Sequence, residues 1–402
     1  MKAAFFHDTP LLFWKDKKIY SIGFDYDVWT RYLKVFDQLV VATRKINPSN
    51  LNHSLFKGMK LSSGPNVDFN PIDEYNSSLD VLYNYKKIRK QIRSVLKSVD
   101  CAIVRLPSTI GIIAFYEAMN LKLPVAVELV GCPWDALWNF GNTKGKLAAP
   151  IFFIFTKRIV KKSSHTLYVT KYFLQKRYPT QGYSIDCSNI NIPENSEDIL
   201  DMRIDKIKKI KDKIIKIGMI GALGSKYKGF DLAIDALSYI CRKYERIELH
   251  ILGPGNSDKW EKYAKKRGVT SKVFFDGVLK NGDEVFKWLD QIDIYIQPSK
   301  AEGLPRSLIE AMSRGCPTIG AHTGGIPELL DADFLHKKGD SKDLSKRIIN
   351  LLENPDIMIN QARTNFYKSR EYSKENLEKR RTSFWTIFRD YAKSNQENNN
   401  IT

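Results

Sequence analysis

Short apolar runs alternate with longer polar or helix-periodic stretches along most of the chain, a pattern that predicts an α/β layer structure built on a mostly parallel sheet. In the first half the predicted strands are Lys2–Phe6, Leu39–Thr43, Cys101–Leu106, Val125–Val130 and Thr166–Val169. Between the second and third, Ile88, Ile92, Val95 and Val99 mark one apolar face of a helix over Tyr85–Ser98, whose other face is lysine and arginine. The pattern lapses around Ser188–Glu194, and the polar stretch Asn195–Asp212 reads as an inter-domain connector. A second series follows with strands Ile214–Ile220, Ile247–Leu252 and Val273–Phe275, helix Asp283–Leu289, and strands Ile292–Gln297 and Pro317–Ala321. The chain closes on a helix, Ser373–Lys393, with Leu377, Arg381, Phe384, Trp385 and Phe388 in helical spacing. The Asn-rich tail Asn395–Thr402 has no apolar period and is expected to lack structure. The domains expected are 1–197 and 213–372, and the aromatic stripe of the terminal helix 373–394 needs a surface to cover.

Composition narrows the class. With 402 residues, 43% of them hydrophobic, the chain has material for two or three domains with real cores. Five scattered cysteines without CxxC spacing suggest neither disulfides nor zinc and fit a reducing, cytoplasmic setting. Met1–Phe6 starts like a signal peptide, but His7 and Asp8 interrupt the apolar run, so it reads as a strand. A formal net charge of +19 implies attraction to a polyanion, either an anionic membrane surface or nucleic acid. The longest apolar run, Leu147–Phe155, is too short to span a bilayer and leads into Lys157, Arg158, Lys161 and Lys162. That is the composition of an interfacial helix, as well as of a half-buried core helix, and it allows a peripheral place on the inner face of the cytoplasmic membrane. The basic residues are otherwise scattered and form no recognisable RNA or DNA module, so nucleic acid is not expected as a partner.

Candidate chemistry concentrates after the strand Ile292–Gln297. There a Gly/Pro loop turns into a helix that starts near Ser307 and ends at Gly315, and Glu302 and Glu310 flank the turn. Such a turn presents free backbone N–H groups and the positive end of a helix dipole, which attract phosphate. Ser307-x-x-Glu310 is equally the spacing of a capping box. Upstream, Gly221-Ala-Leu-Gly-Ser-Lys-Tyr-Lys-Gly229 leads from a strand into a helix; its small residues admit a phosphate and Lys228 offers it a point charge, with Lys226 nearby. In the first half, loops after strand ends supply candidates for sugar hydroxyls and ring faces: His7 and Asp8, Arg105–Ser108, and Glu128–Asp135 with Trp134 and Asp135. The segment Phe24–Tyr32, with Asp27 and Trp29, is a further candidate acceptor wall. Neither Asp25-x-Asp27 nor Asp331-x-Asp333 follows a buried strand convincingly, so no metal site is expected.

The frame Ser299…Glu302-Gly303-Leu304-Pro305…Glu310-Ala311-Met312, with the Lys228–Gly229 pair, resembles the signature of the retaining glycosyltransferases of family 4, glycosyl transferases group 1, over nearly all of Ile214–Glu353. The resemblance implies a GT-B fold: two Rossmann-like domains, a deep inter-domain cleft, and a C-terminal helix crossing back to the first domain. It places Glu302 on donor-sugar hydroxyls, Glu310 on the ribose, and the backbone of Gly303, Leu304, Arg306 and Ser307 on the diphosphate. It also puts Gly221 and Gly253 beside the nucleotide and Leu279 against the base. The family normally has an arginine after the first glycine of the earlier loop; here Ala222 takes that place, leaving Lys228 alone or aided by Lys226. The function implied is metal-independent, retaining transfer from a nucleotide sugar, with UDP expected, to a hydroxyl of a glycan or polyprenyl-linked acceptor in bacterial capsule, O-antigen or exopolysaccharide synthesis. No cofactor is expected beyond the nucleotide-sugar substrate. In this reading His7, Asp8, Asp27, Trp134 and Asp135 are the acceptor-side candidates. Two other classes remain: a non-transferring relative such as a nucleotide-sugar epimerase, for which only His7 and His322 sit at strand ends, and a basic nucleic-acid-binding protein.

Overall fold

A computed structural model describes residues 1–14, 18–21, 23–46, 59–72, 81, 83–139, 143–190, 192–280 and 282–401. The chain divides into two compact units: Met1–Gly131 with Ile151–Cys187 and Glu378–Thr402, and Cys132–Pro150 with Ser188–Leu377.

The first unit is centred on β1 (Lys2–Phe13), whose residues Ala3–Phe6 are fully buried because parallel neighbours and covering helices enclose both faces of the strand. It extends past the expected end at Phe6, with a register shift between His7 and Leu11. Its far end pairs antiparallel with β2 (Ile19–Ser21). β3 (Gln38–Ile46) runs parallel on one side, while β2 carries the short β4 (Lys60–Leu61). β5 (Val67–Ile72) lies beyond β3. On the other side come β6 (Cys101–Leu106), β7 (Val125–Leu129), β8 (His165–Tyr168) and β9 (Tyr183–Asp186), all parallel.

An aromatic cluster covers this sheet, and it corrects one expectation. Trp29 and Tyr32, read as part of an acceptor wall, lie on the Tyr26–Leu33 helix and point inward, with ring centroids 5.3 and 5.4 Å from Phe5. The Trp29 indole donates to Ser62 at 3.0 Å and the Tyr32 hydroxyl to Glu128 at 2.7 Å. Trp385 packs on Tyr32 and Phe388 on Phe36, so the stripe of the terminal helix enters the core of the first unit. That helix runs from Lys374 to Ile401, so the Asn-rich tail expected to lack structure is helical instead, while Thr402 lies outside the described residues. Gln396 holds it to the unit by donating to the Asp100 carbonyl at 3.2 Å.

The second unit has a six-stranded parallel sheet in the order β12-β11-β10-β13-β14-β15. Its strands are β10 (Ile215–Ile220), β11 (Ile247–Leu252), β12 (Val273–Gly277), β13 (Ile294–Gln297), β14 (Thr318–Ala321) and β15 (Leu335–His336). Strand order reverses direction between β10 and β13, the topological point where open α/β sheets bind ligands at their carboxyl ends.

The stretch Asn195–Asp212, expected as a connector, contains a packed helix, Glu197–Lys208, whose Leu200, Ile204 and Ile207 enter the core of this unit. Its buried Arg203 donates only to backbone carbonyls: Arg314 at 3.1 Å, Leu289 at 2.9 Å, and Ile292. Those carbonyls end the helices Asp283–Gln291 and Arg306–Ser313 or lie just beyond, where a cation meets the negative ends of both dipoles.

Two predictions follow from this packing. Arg203→Leu leaves the Arg314 carbonyl without a donor and takes one donor each from the Ile292 and Leu289 carbonyls, which keep Lys206 and the Ile292 N–H. It should lower stability by about 2–4 kcal/mol in urea titration, and a loss under about 1 kcal/mol contradicts the anchoring role. The second concerns His250 on β11, which bonds Asp276 at 3.1 Å and Glu248 at 3.0 Å and stacks on Phe274. Burial disfavours its charge, but the two carboxylates override that and raise its pKa. A raised pKa in the folded state adds stability that is complete below the unfolded value of about 6.5 and disappears as pH rises through the folded value. The melting-temperature gap between the wild type and His250→Gln should accordingly be widest below pH of about 6.5 and narrow above it. A gap independent of pH excludes the charged clamp.

Candidate active site

β13 ends on a polar hub. Gln297, buried at the last position of an otherwise apolar strand, donates through Nε2 to Ser299 at 2.9 Å and to Glu302 Oε1 at 2.9 Å, and its Oε1 accepts from Tyr295 and Ser307. Sequence reasoning passed over it, although a glutamine closing Ile-Tyr-Ile was the available signal. The bond from Ser307 settles a competing reading: the serine belongs to the first turn of the helix and does not cap it. The cap position is Pro305, which makes no side-chain cap bond. The N–H groups of Gly303, Leu304, Arg306, Ser307 and Leu308 consequently have no acceptor among the described residues. Unsatisfied amides at a helix start form an anion site.

The loop between β10 and the Phe230–Ile240 helix docks onto this turn. Lys300 N–H donates to the Tyr227 carbonyl at 2.7 Å, and the Lys300 ammonium pairs with Asp231 at 2.7 Å. Gly229 adopts φ of +81°, and a Cβ there would stand 2.2 Å from the Pro298 carbonyl oxygen, so only glycine permits the approach. The result brings Lys228 Nζ to 2.7 Å from Glu302 Oε1, with both side chains largely buried. Glu302 Oε1 thus takes both Lys228 and Gln297, while Oε2 has no partner among the described residues. Behind Glu302, Gly324 takes φ of +58° where a Cβ would meet the Glu302 carbonyl oxygen at 2.1 Å, and Gly325 N–H donates to Gly303 at 2.7 Å.

The remaining donor-side candidates surround the same sheet mouth. Gly221 and Gly253 end adjacent strands, Gly221 N–H donating to Leu252 at 2.9 Å and Gly253 N–H to Gly277 at 2.7 Å. Leu279 is half-buried just after β12. Ala222, Lys226 and Arg306 are exposed, and Lys226 makes no ion pair among the described residues. Glu310 is half-buried and its carboxylate has no hydrogen bond among the described residues; burial raises its pKa against the pull of Arg306. A desolvated carboxylate in that state is a ready acceptor for a pair of hydroxyls.

The acceptor-side candidates fall into separate groups. In the first unit His7 Nδ1 accepts the Thr9 N–H at 3.1 Å, which leaves the proton of the neutral ring on Nε2, and burial with nearby Arg105 lowers its pKa to about 3. Asp8 points at the Thr109–Asn120 helix and accepts the N–H groups of Thr109 at 2.6 Å and Ile110 at 2.9 Å. Asp27 is exposed in the first turn of its helix. Trp134 and Asp135 sit on the Pro133–Asn139 helix, counted with the second unit, where Trp134 stacks on Trp138 at 5.3 Å.

Comparison with known proteins agrees with this arrangement. Residues 202–373 match the family described as glycosyl transferases group 1. The chain is 34% identical over 349 residues to Protein CapJ of Staphylococcus aureus, covering 87% of this chain and 85% of CapJ. It is 28% identical over 155 residues to the amylovoran biosynthesis glycosyltransferase AmsK of Erwinia amylovora, covering 36% of this chain and 38% of AmsK. Among solved structures, sucrose-phosphate synthase from Thermosynechococcus elongatus superposes with a TM-score of 0.68 at 12% identity, over 97% of this chain and 99% of that one. HepE of Anabaena, solved in complex with UDP-glucose, superposes with a TM-score of 0.64 at 15% identity, over 95% of this chain and 98% of that one. With one relative sharing a third of its residues over most of both chains, and the same architecture recurring in solved structures, the protein belongs to the glycosyl transferases group 1 and has the GT-B fold.

Proposed function

We propose that the protein transfers a sugar from a nucleoside-diphosphate donor, with UDP as the nucleotide, to a hydroxyl of a lipid-linked glycan, with retention of anomeric configuration and without a metal ion. The observation that carries this reading is the Lys228–Glu302 pair beside five unsatisfied backbone amides at the start of one helix. Leaving-group departure puts negative charge on the diphosphate while positive charge grows on the sugar ring. Preorganised amides and one ammonium match the first need at no reorganisation cost. Glu302 Oε2 is free to take a sugar hydroxyl and Glu310 to take the ribose. UDP-glucose bound to a protein of the same fold supports a UDP-sugar donor. Relation to CapJ and to an amylovoran transferase supports a place in capsule or exopolysaccharide assembly.

In the retaining route assigned here the acceptor attacks on the face from which the diphosphate leaves, and the departing phosphate oxygen takes the acceptor proton. No protein carboxylate is therefore assigned as general base. Asp8 is committed to two helix amides at 2.6 and 2.9 Å, so both of its oxygens are already engaged. Ala222 leaves the diphosphate with one buried cation, so the amides of the helix start carry more of the charge.

Purified protein supplied with UDP-, GDP- and ADP-sugars should turn over the UDP donor equally with and without EDTA. Lys228→Ala and Glu302→Ala should each lower kcat/KM by about 10²–10³, the scale of losing one charge-stabilising group. Calorimetry with UDP alone separates the roles: Lys228→Ala weakens UDP binding, whereas Glu302→Ala spares it because the carboxylate serves the sugar. Full activity in both variants removes the site. Gly229→Ala, which drives a Cβ into the Pro298 carbonyl, should abolish UDP binding at a cost of about 1–3 kcal/mol in stability; unchanged binding would show that the docked loop is not needed.

A further inference from the structure

The helix Thr143–Lys162 turns the wrong face outward for a helix that only packs a core. Its inward face is Ala149, Thr156, Ile159 and Val160, all fully buried. Its outward face carries Leu147, Ile151, Ile154 and Phe155, which are 75%, 55%, 47% and 37% exposed and fall at helical spacing on one stripe. Lys157, Arg158, Lys161 and Lys162 continue the exposed face without a break. Along this stretch of chain the charge is of one sign: between Asp135 and Asp186 there is no acidic residue and there are nine lysines and arginines. Within the first unit, Lys157 and Arg177 both stand over the Phe153 ring, at 5.9 and 5.8 Å. That contact joins the Phe173–Arg177 helix, with exposed Lys171 and Tyr172 before it, to the same surface.

From this face we infer a docking surface for an anionic lipid bilayer, with Ile151, Ile154 and Phe155 entering the interfacial zone and the lysines and arginines facing lipid phosphates. Aliphatic side chains in a row are costly to leave in water and gain nothing from the backbone of a nucleic acid. A protein partner could cover the row, but exposed Lys157, Arg158, Lys161 and Lys162 in a stretch without a carboxylate over fifty consecutive residues, 136–185, are complementary to a continuous sheet of negative charge. Among the described residues no helix is long and apolar enough to cross a membrane, so the contact is made from one side. Cations brought to such a surface each raise affinity about fivefold, and the apolar stripe adds a part that salt does not screen. The docking surface stands apart from the donor-site reading, and its test needs no transfer reaction.

Vesicle flotation with the full chain tests it, using phosphatidylcholine alone and phosphatidylcholine with phosphatidylglycerol, each at low and high salt. The wild type should float only with the anionic vesicles. Lys157→Glu/Lys161→Glu/Lys162→Glu should reduce binding more than a hundredfold. Ile151→Ser/Ile154→Ser, at exposed positions that leave the circular dichroism unchanged, should reduce it at least tenfold at both salt concentrations. Charge reversal at Lys265 and Lys266 in the second unit should change it less than twofold. The inference is overturned by absence of binding to anionic vesicles, by a serine pair that binds like the wild type, or by the control reversal costing as much as the first. Tighter binding to duplex DNA than to vesicles also overturns it. So does a dimer in sedimentation that the serine pair dissolves, since a second copy would then be the occupant.

Discussion

Everything at the sheet mouth of the second unit depends on two backbones coming within contact distance, the loop ending at Gly229 and the end of β13 at Pro298. The absence of one Cβ allows it. From that approach follow the Tyr227–Lys300 hydrogen bond, the position of Lys228 against Glu302, and a helix start whose amides meet no capping side chain among the described residues. The arrangement is held from behind as well. Arg314 forks onto Asp290 at 2.8 and 2.7 Å, and Arg203 donates to the Arg314 carbonyl at the far end of the same helix, so its axis is pinned where it carries no chemistry.

Lys228 and Glu302 neutralise each other in a largely buried pair, where the desolvation cost of either charge alone would be severe. In the proposed reaction a diphosphate that took over the ammonium would also release Glu302 toward the sugar, so a single exchange of partners would prepare both ends of the donor. Gln297 would make that exchange tolerable, because its amide also donates to Glu302 Oε1.

Much of this was legible in the residues because the second unit obeys local rules. Buried parallel strands appear as continuous apolar runs, and β11 and β6 begin and end at the residues that the runs imply. The Lys228–Gly229 step and the Glu302 to Glu310 spacing stand out since glycine and charge at strand exits have few other uses. What escaped was whatever depends on facing. Ile204 and Ile207 sit among lysines in a stretch whose composition is that of a linker, and only the packed helix shows them pointing into a core. Trp29 and Tyr32 sit beside Asp25 and Asp27 and looked like a sugar platform, yet helical phase turns both rings onto Phe5. The polar run from His7 to Pro10 hid the continuation of β1, because a strand that shifts register loses its alternation.

The two sheets present similar exits to solvent, each with a helix starting above the central strands, and on chemical grounds either could lodge a phosphate. Asp8 decides between them. By lending its own carboxylate to the amides of Thr109 and Ile110, the first unit fills its helix mouth with an internal counter-anion. The duplicated architecture is thereby made unequal by Asp8 with the Ser108 cap on Gly111: one half fills its electropositive helix start from within, and the other leaves those amides without an internal acceptor among the described residues.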